Sequence, residues 1–263
     1  MPPLPLLRLP QLVLCEIFKS LSIGEKIKLS LCSKKISTQI NNAQFYSQKV
    51  LVDLDILNQN IRVHSENDED IFEIFTYPES EISRNSNTEQ CSIACCLLKI
   101  FQCKISTNIS QYNSDLYQPT ISMLFDLQVE FKKLTISLDG SEDQNLFNQI
   151  SNKLGLVEDL QISPGWLPGF KPIFISWPQK ITIWSSYWFT LEHILACTCT
   201  TIILEMSHLG NKDADVILRK WKAGGFPYLE YLSVEGESIS NGRILGMYWM
   251  ELQGMVIHTD DGL

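Results

Sequence analysis

From residue 131 onward the chain repeats one apolar pattern, Φ-x-x-Φ-x-Φ, where Φ is apolar. Four copies are clear: Phe131, Leu134, Ile136; Val157, Leu160, Ile162; Leu229, Leu232, Val234; and Leu252, Met255, Ile257. Two weaker ones lie between, at Pro178, Ile181, Ile183 and at Cys199, Ile202, Leu204. Alternating apolar residues at the end of each copy predict a strand. Helical runs fill the gaps. Leu146, Phe147, Ile150 and Leu154 form one, closed by Gly155, and Thr190 to Leu195 a short second. Asn211 caps a third, whose Val216, Ile217 and Trp221 face inward before Gly224-Gly225 ends it. A strand-plus-helix unit of this size has one apolar face that it cannot cover alone, so successive units must stack.

The central residues 134, 160, 181, 202, 232 and 255 stand 26, 21, 21, 30 and 23 residues apart. That spacing is at or near the ~20–29 residue period of leucine-rich repeats. Residues 121–263 are therefore expected to form an irregular leucine-rich-repeat-like β/α solenoid. The position five after each central residue, usually Asn in a regular repeat, holds Asp139, Gly165, Ser186, Ser207 and Glu237. No regular asparagine ladder is expected, and a plain α/β domain of alternating strands and helices stays open as the alternative.

Residues 1–45 follow a different rule. Pro10 suits a first helical turn, and Val13, Ile17 and Leu21 recur at helical spacing with Leu14 and Phe18 beside them. Ser22-Ile23-Gly24-Glu25 has the form of a capping box and predicts a second helix carrying Ile27 and Leu31. A third, polar-faced segment begins after Ser33 and ends near Asn41 and Asn42. About 40 residues bury too little surface to be stable alone, so the stripe needs a neighbour. The fold class expected for the whole chain is α+β.

Leu9-Pro10-x-x-Val13-Leu14-x-Glu16-Ile17-Phe18-x-x-Leu21, continuing through Ile27-x-Leu29-x-Leu31-Cys32-Ser33-Lys34, resembles an F-box, the trihelical module that docks on the Skp adaptor of cullin-based ubiquitin ligases. The resemblance implies that Leu9, Pro10, Val13, Ile17, Phe18, Leu21, Ile27 and Leu31 form or support the adaptor-binding face.

Residues 46–120 read as a β-rich connector, with strands at Val50 to Val52, Ile61 to His64 and Ile71 to Phe75. Between residues 63 and 83 stand seven carboxylates and no Lys or Arg. They lack the Asp-x-Asp-x-Asp-Gly order of a calcium loop and read as solvated turns. Pro78 to Gln90 is expected to be a mobile loop.

The net charge of −9 is unevenly spread: residues 1–49 hold seven basic and two acidic side chains, so the remainder is strongly acidic. That sign excludes a nucleic-acid surface on the larger part, while the basic end favours an acidic partner. The best membrane-span candidate, Ile181 to Leu191, stops at Glu192, and prolines at 2, 3, 5 and 10 break any leader-like apolar start. The chain is expected to stay inside the cell. Its eight cysteines are then reduced, mostly buried thiols, and the sequon Asn108-Ile109-Ser110 is silent.

No motif of a zinc hydrolase, serine hydrolase or phosphate-binding loop occurs among the four histidines and the glycines. Glu192 and His193 are adjacent on a helix and point apart, without a nucleophile. Cys91-x-x-x-Cys95-Cys96 with Cys103, and Cys197-x-Cys199, lack the two paired ligand sets of structural zinc. Neither cofactor nor metal is expected. Aromatics crowd residues 166 to 189, and Trp184, Tyr187 and Trp188 are the candidates for a target-recognition patch.

Ile202 to Val234, with its Ser-His-Leu-Gly-Asn-Lys-Asp turn, a helix ending in Trp221, and Pro227-Tyr228-Leu229-Glu230-Tyr231-Leu232-Ser233-Val234, is similar to the type 2 F-box-associated domain of the nematode F-box B family. The order of the two modules is the same in that family. The resemblance implies a non-enzymatic substrate receptor that joins a Skp-type adaptor, and through it a cullin, to an unknown protein target. A Skp-binding scaffold or decoy without ligase output is the second reading, and a small-molecule enzyme on an α/β scaffold the third.

Overall fold

The computed structural model describes residues 8–44, 50–56, 58, 60–65, 69–75, 86–109, 114–138, 141–164 and 172–236. The chain divides into two compact units, residues 1–107 with 119–129, and residues 108–118 with 130–263. The last repeat copy (Leu252, Met255, Ile257) and most of the loop expected at 78–90 lie outside the described residues. Ser86 to Gln90 are helical rather than loop.

The first unit opens with α1 (Gln11–Ser20), α2 (Ile23–Cys32) and α3 (Lys34–Gln44). Pro10 is the N-cap of α1, its carbonyl accepting from the Leu14 N–H at 3.1 Å. The expected capping box starts α2: the Ser22 Oγ accepts from the Glu25 N–H at 3.2 Å, and the Glu25 carboxylate accepts from the Ser22 N–H at 2.9 Å. Those bonds from Ser22 hold the Glu25 carboxyl below the usual carboxylate range. Strands β1 (Val50–Asp55), β2 (Asn60–Ser65) and β3 (Ile71–Phe75) follow, then α4 (Ser86–Phe101), β4 (Ile105–Ile109) and α5 (Ser114–Asp126), the last two running across the unit boundary. β1 to β3 pair antiparallel in sequence order, with Val52 opposite Val63 and Leu54 opposite Ile61, all four buried. β4 joins the other edge of β1 in parallel, which requires a crossover, and α4 supplies it.

The three helices are not a separate body: α2 packs on β3 and α4, and α3 on α4. The Asp70 carboxylate, ahead of β3, accepts the Ile23 N–H at 2.7 Å and so caps α2 from outside its own segment. A β-carbon on Gly24 would come within 2.7 Å of the Phe72 ring, so only glycine allows α2 to lie this close to the strand. Lys26 is buried beside them; burial pushes its ammonium down and Asp70 opposes that shift. The trihelical segment thus packs against the strand and helix that follow it. Asp70→Ala should lower the stability of the full chain by about 1–2 kcal/mol in urea unfolding, the cost of a lost charged cap on a part-buried N–H; an unchanged midpoint would show that α2 does not depend on this bond.

The second unit is built from β5 (Phe131–Leu138), β6 (Val157–Pro164), β7 (Lys180–Ile183), β8 (Thr201–Leu204) and β9 (Tyr231–Val234), all parallel and adjacent in chain order. The residues aligned by the sequence pattern are aligned in space. Leu134, Leu160, Ile181, Ile202 and Leu232 stand side by side across the five strands, as do Ile136, Ile162, Ile183, Leu204 and Val234. Both rows are buried, together with the leading positions Phe131, Val157, Pro178, Cys199 and Leu229. Parallel neighbours in sequence order need crossovers of one hand, which carry α6 (Ser141–Ile150), α7 (Leu191–Ala196) and α8 (Asn211–Lys222).

The helix ends depart from expectation. α6 stops at Ile150, and Leu154 lies in a 3₁₀ turn. Gly210, not Asn211, caps α8, its N–H donating to the Asp213 carboxylate at 2.9 Å. On α8 Ile217 and Leu218 turn inward, and Val216 is exposed, because burial is set by what the helix packs on. Gly224 ends the helix in the left-handed region, at φ 76°.

No asparagine ladder is expected at this position, and at two of its copies serine makes bonds between repeats instead. Buried Ser186 gives both its N–H (2.8 Å) and its hydroxyl (2.9 Å) to the Glu205 carbonyl of the next repeat. Ser207 repeats the first bond, its N–H donating to the Glu235 carbonyl at 2.7 Å, while its Oγ accepts from the Leu209 N–H at 3.2 Å. The preceding residues, Ser185 and Met206, are both held in the left-handed region, at φ 58° and 50°. Such backbone is costly for non-glycine residues and persists where surrounding bonds fix it. Ser186→Ala should cost about 1–2 kcal/mol by thermal or urea unfolding; a neutral effect would leave the hydroxyl without a part in the turn.

Candidate protein-interaction surfaces

α1 is apolar on two sides. Leu14 and Phe18, at i and i+4, point into the first unit and are buried, with Ile23 and Ile27 of α2 and Ile40 of α3. On its other side Leu12 is 81% exposed and Val13 43%. Leu31, at the end of α2, is 74% exposed. Burying a leucine from water is worth about 1.5–3 kcal/mol, so two fully displayed leucines on short helices forgo a contribution that another surface can supply. The structure sorts the residues singled out above: Pro10, Val13 and Leu31 are exposed, Leu9, Ile17 and Leu21 half-buried, and Phe18 and Ile27 internal. The internal pair supports the face without lining it. Leu12, which sequence reasoning does not single out, is an apolar residue outside the buried stripe and more exposed than Val13 or Leu31.

In the second unit Trp184 and Tyr187 are half-buried just after β7, with the Tyr187 ring 6.2 Å from His208. Trp188 corrects the expectation that all three face a partner. It is 8% exposed, inside an aromatic cluster whose ring centroids lie 6.3 Å (Phe174), 5.6 Å (Phe189) and 6.2 Å (His193) away. Phe174 also stacks on Trp177 at 4.3 Å and meets Phe147 of α6 edge-on at 5.1 Å. These aromatics pack the connection from β6 to β7 against its neighbours. Ile173 and Ile175, flanking Phe174, are exposed, as is Met206.

His193 belongs to that cluster. Its ring stacks on Phe189 at 5.0 Å, and its Nδ1 accepts the Thr190 N–H at 3.0 Å, capping α7. Burial pushes the imidazole below its ordinary value of 6.5, against smaller opposing effects from the Pro172 backbone and Glu192. The folded state thus holds the neutral ring, and the unfolded chain takes up a proton first as pH falls. The stabilisation is complete above the ordinary histidine value and is lost as pH falls through the depressed folded value. The melting temperature should drop between pH 7.5 and pH 5 in a range where His193→Gln shows a smaller drop; equal slopes for both proteins would remove His193 as a contributor.

Burial pushes the Cys91 thiol up to about 11 and Cys103 up to about 12, and raises Cys95. In the buried Cys197 and Cys199 pair the shared hydrogen bond raises Cys199 and lowers Cys197. Only Cys91, Cys197 and Cys199 are buried, while Cys15, Cys95 and Cys103 are half-buried and Cys32 and Cys96 exposed, so the thiols are not mostly internal as expected. Among the described residues no group of three or more His, Cys, Asp or Glu is placed to hold a metal ion, and no helix is long and apolar enough to cross a membrane.

The geometry is that of an amphipathic trihelical segment with leucines turned to solvent in one unit and a stack of parallel strands in the other. Comparison with known families bears on both parts: residues 6–48 match the F-box domain family, and residues 169–234 match the F-box associated family. Along the chain an F-box match thus precedes a match to the type 2 F-box-associated domain. Curated proteins and solved structures give no match.

Proposed function

We propose that this chain is an intracellular substrate-receptor subunit of a Skp–cullin–F-box ubiquitin ligase, without catalytic residues of its own. The observation that carries the reading is the display of Leu12, Val13 and Leu31 by helices whose opposite sides are already buried within the first unit. Leu9, Pro10, Ile17 and Leu21 surround or support that face, and Phe18 and Ile27 hold its interior. The second unit is the target-recognition part, a short irregular β/α solenoid in our reading. Its in-register parallel rows support this, and Trp184 and Tyr187 are its candidate contacts. Holding adaptor and target on one chain makes transfer to the target effectively intramolecular, so proximity supplies the rate advantage.

The test is capture of a purified Skp-type adaptor. Leu12→Glu and Leu31→Glu should each reduce capture by at least tenfold with unchanged melting temperature, because both side chains face water in the free chain. The double variant Leu9→Ala, Pro10→Ala should weaken capture while the second unit stays folded. Phe18→Ala should instead destabilise the first unit by about 3–5 kcal/mol. Undiminished capture by both glutamate variants would refute the assignment of the face. Reconstituted ubiquitination of a captured target, with and without this chain, then separates a receptor from a scaffold or decoy.

A further inference from the structure

We propose that the corner between α2 and α3 receives an acidic segment of the partner protein, which steers the encounter electrostatically and seats an apolar side chain on Leu31. The inference rests on the reading of the first unit as the adaptor-binding module and names the chemistry its partner must show. Exposed Leu31 has Lys28 one helical turn before it and Lys34 and Lys35 just after the Ser33 joint, all three exposed. No Asp or Glu occurs from residue 26 to residue 52. Glu25, one turn before Lys28, has its carboxylate engaged by the N–H and hydroxyl of Ser22 and also feels the Lys28 charge, so Lys34 and Lys35 carry more of the unbalanced field. The other lysines of α1 and α2 are held differently: Lys19 pairs with Glu16 at 2.9 Å, and Lys26 is buried beside Asp70.

Two of the three cations occupy the first turn of α3, which holds no acid. Aligned peptide dipoles make that end of a helix partly positive, so lysines there oppose helix stability and add to one local field. A surface that places like charges where the helix disfavours them, around a displayed leucine, fits a partner with the opposite charge around an apolar contact. A polyanion fits less well. The chain as a whole carries −9, which repels nucleic acid and anionic bilayers, and the cations edge an apolar residue without a continuous basic track.

The experiment is stopped-flow association of the full chain with a purified Skp-type adaptor, at about 20 mM and about 500 mM salt, spanning weak and strong screening. The triple variant Lys28→Glu, Lys34→Glu, Lys35→Glu should associate about tenfold or more slowly at low salt, with dissociation changed less than about threefold, and the gap should close at high salt. Glutamates in the first turn of α3 suit the helix dipole, and circular dichroism confirms the fold; Lys→Gln at the same three positions should give an intermediate rate. Leu31→Ala, with the lysines kept, should raise dissociation and leave association unchanged. Equal association rates for wild type and triple variant overturn the inference and leave adaptor binding standing. So does lysine-dependent binding of a DNA duplex or of phosphatidylserine vesicles with adaptor association unaffected. Absence of any adaptor binding by the wild-type chain overturns the proposed function itself, and this inference with it.

Discussion

An amphipathic segment of some forty residues has more apolar surface than it can fold onto itself, and the first unit is arranged around that excess. Part of it is covered internally: Leu14, Phe18, Ile23, Ile27 and Ile40 close on one another and on the neighbouring strands and helix. The Asp70 bond to the start of α2, the close approach of Gly24 to Phe72, and buried Lys26 fix this side. What remains cannot be covered by the same elements, because a helix turns only part of its circumference to any one neighbour. Leu12, Val13 and Leu31 are that remainder. The packing on β3 and α4 therefore sets which face is left exposed.

The second unit solves the same shortage by stacking. Each strand-and-crossover unit covers the apolar face of the one before it, so the buried rows run perpendicular to the chain. In-register pairing of Leu134, Leu160, Ile181, Ile202 and Leu232 follows from this, since a slip of one residue would turn each apolar row to the opposite face. The turns after the strands need a donor aimed at the next repeat. Serine meets that need at 186 and 207 with its own N–H, and at 186 with its hydroxyl too, and the left-handed Ser185 and Met206 are what bring those donors round.

These elements are legible in the sequence to different degrees, for physical reasons. The capping box at Ser22 and the strand rows are readable because each is a local or periodic constraint written in residue type. Asp70 as a cap is not, because its partner lies 47 residues away and nothing local distinguishes a capping carboxylate from its solvated neighbours. Trp188 reads as surface because large aromatics occur both in cores and at interfaces, and only its neighbours Phe174, Phe189 and His193 decide between the two. The serine bonds at 186 and 207 are not legible because the sequence pattern is judged there by asparagine, whereas the geometry asks only for a donor of the right reach.

The two surfaces differ in how their chemistry is made available. On the first unit the displayed residues are aliphatic, edged by exposed lysines, and sit on helices tied down through buried contacts. Binding there orders little that is not already ordered, so association costs fall mainly on rigid-body freedom. On the second unit Trp184 and Tyr187 are half-covered, and Trp188 and His193 close behind them in the chain lock the crossover. A patch whose supporting rings are buried in this way can be varied at its outer residues without disturbing the stack. The aliphatic face of one unit is thus fixed by what lies beneath it, while the aromatic edge of the other rests on a separately packed cluster.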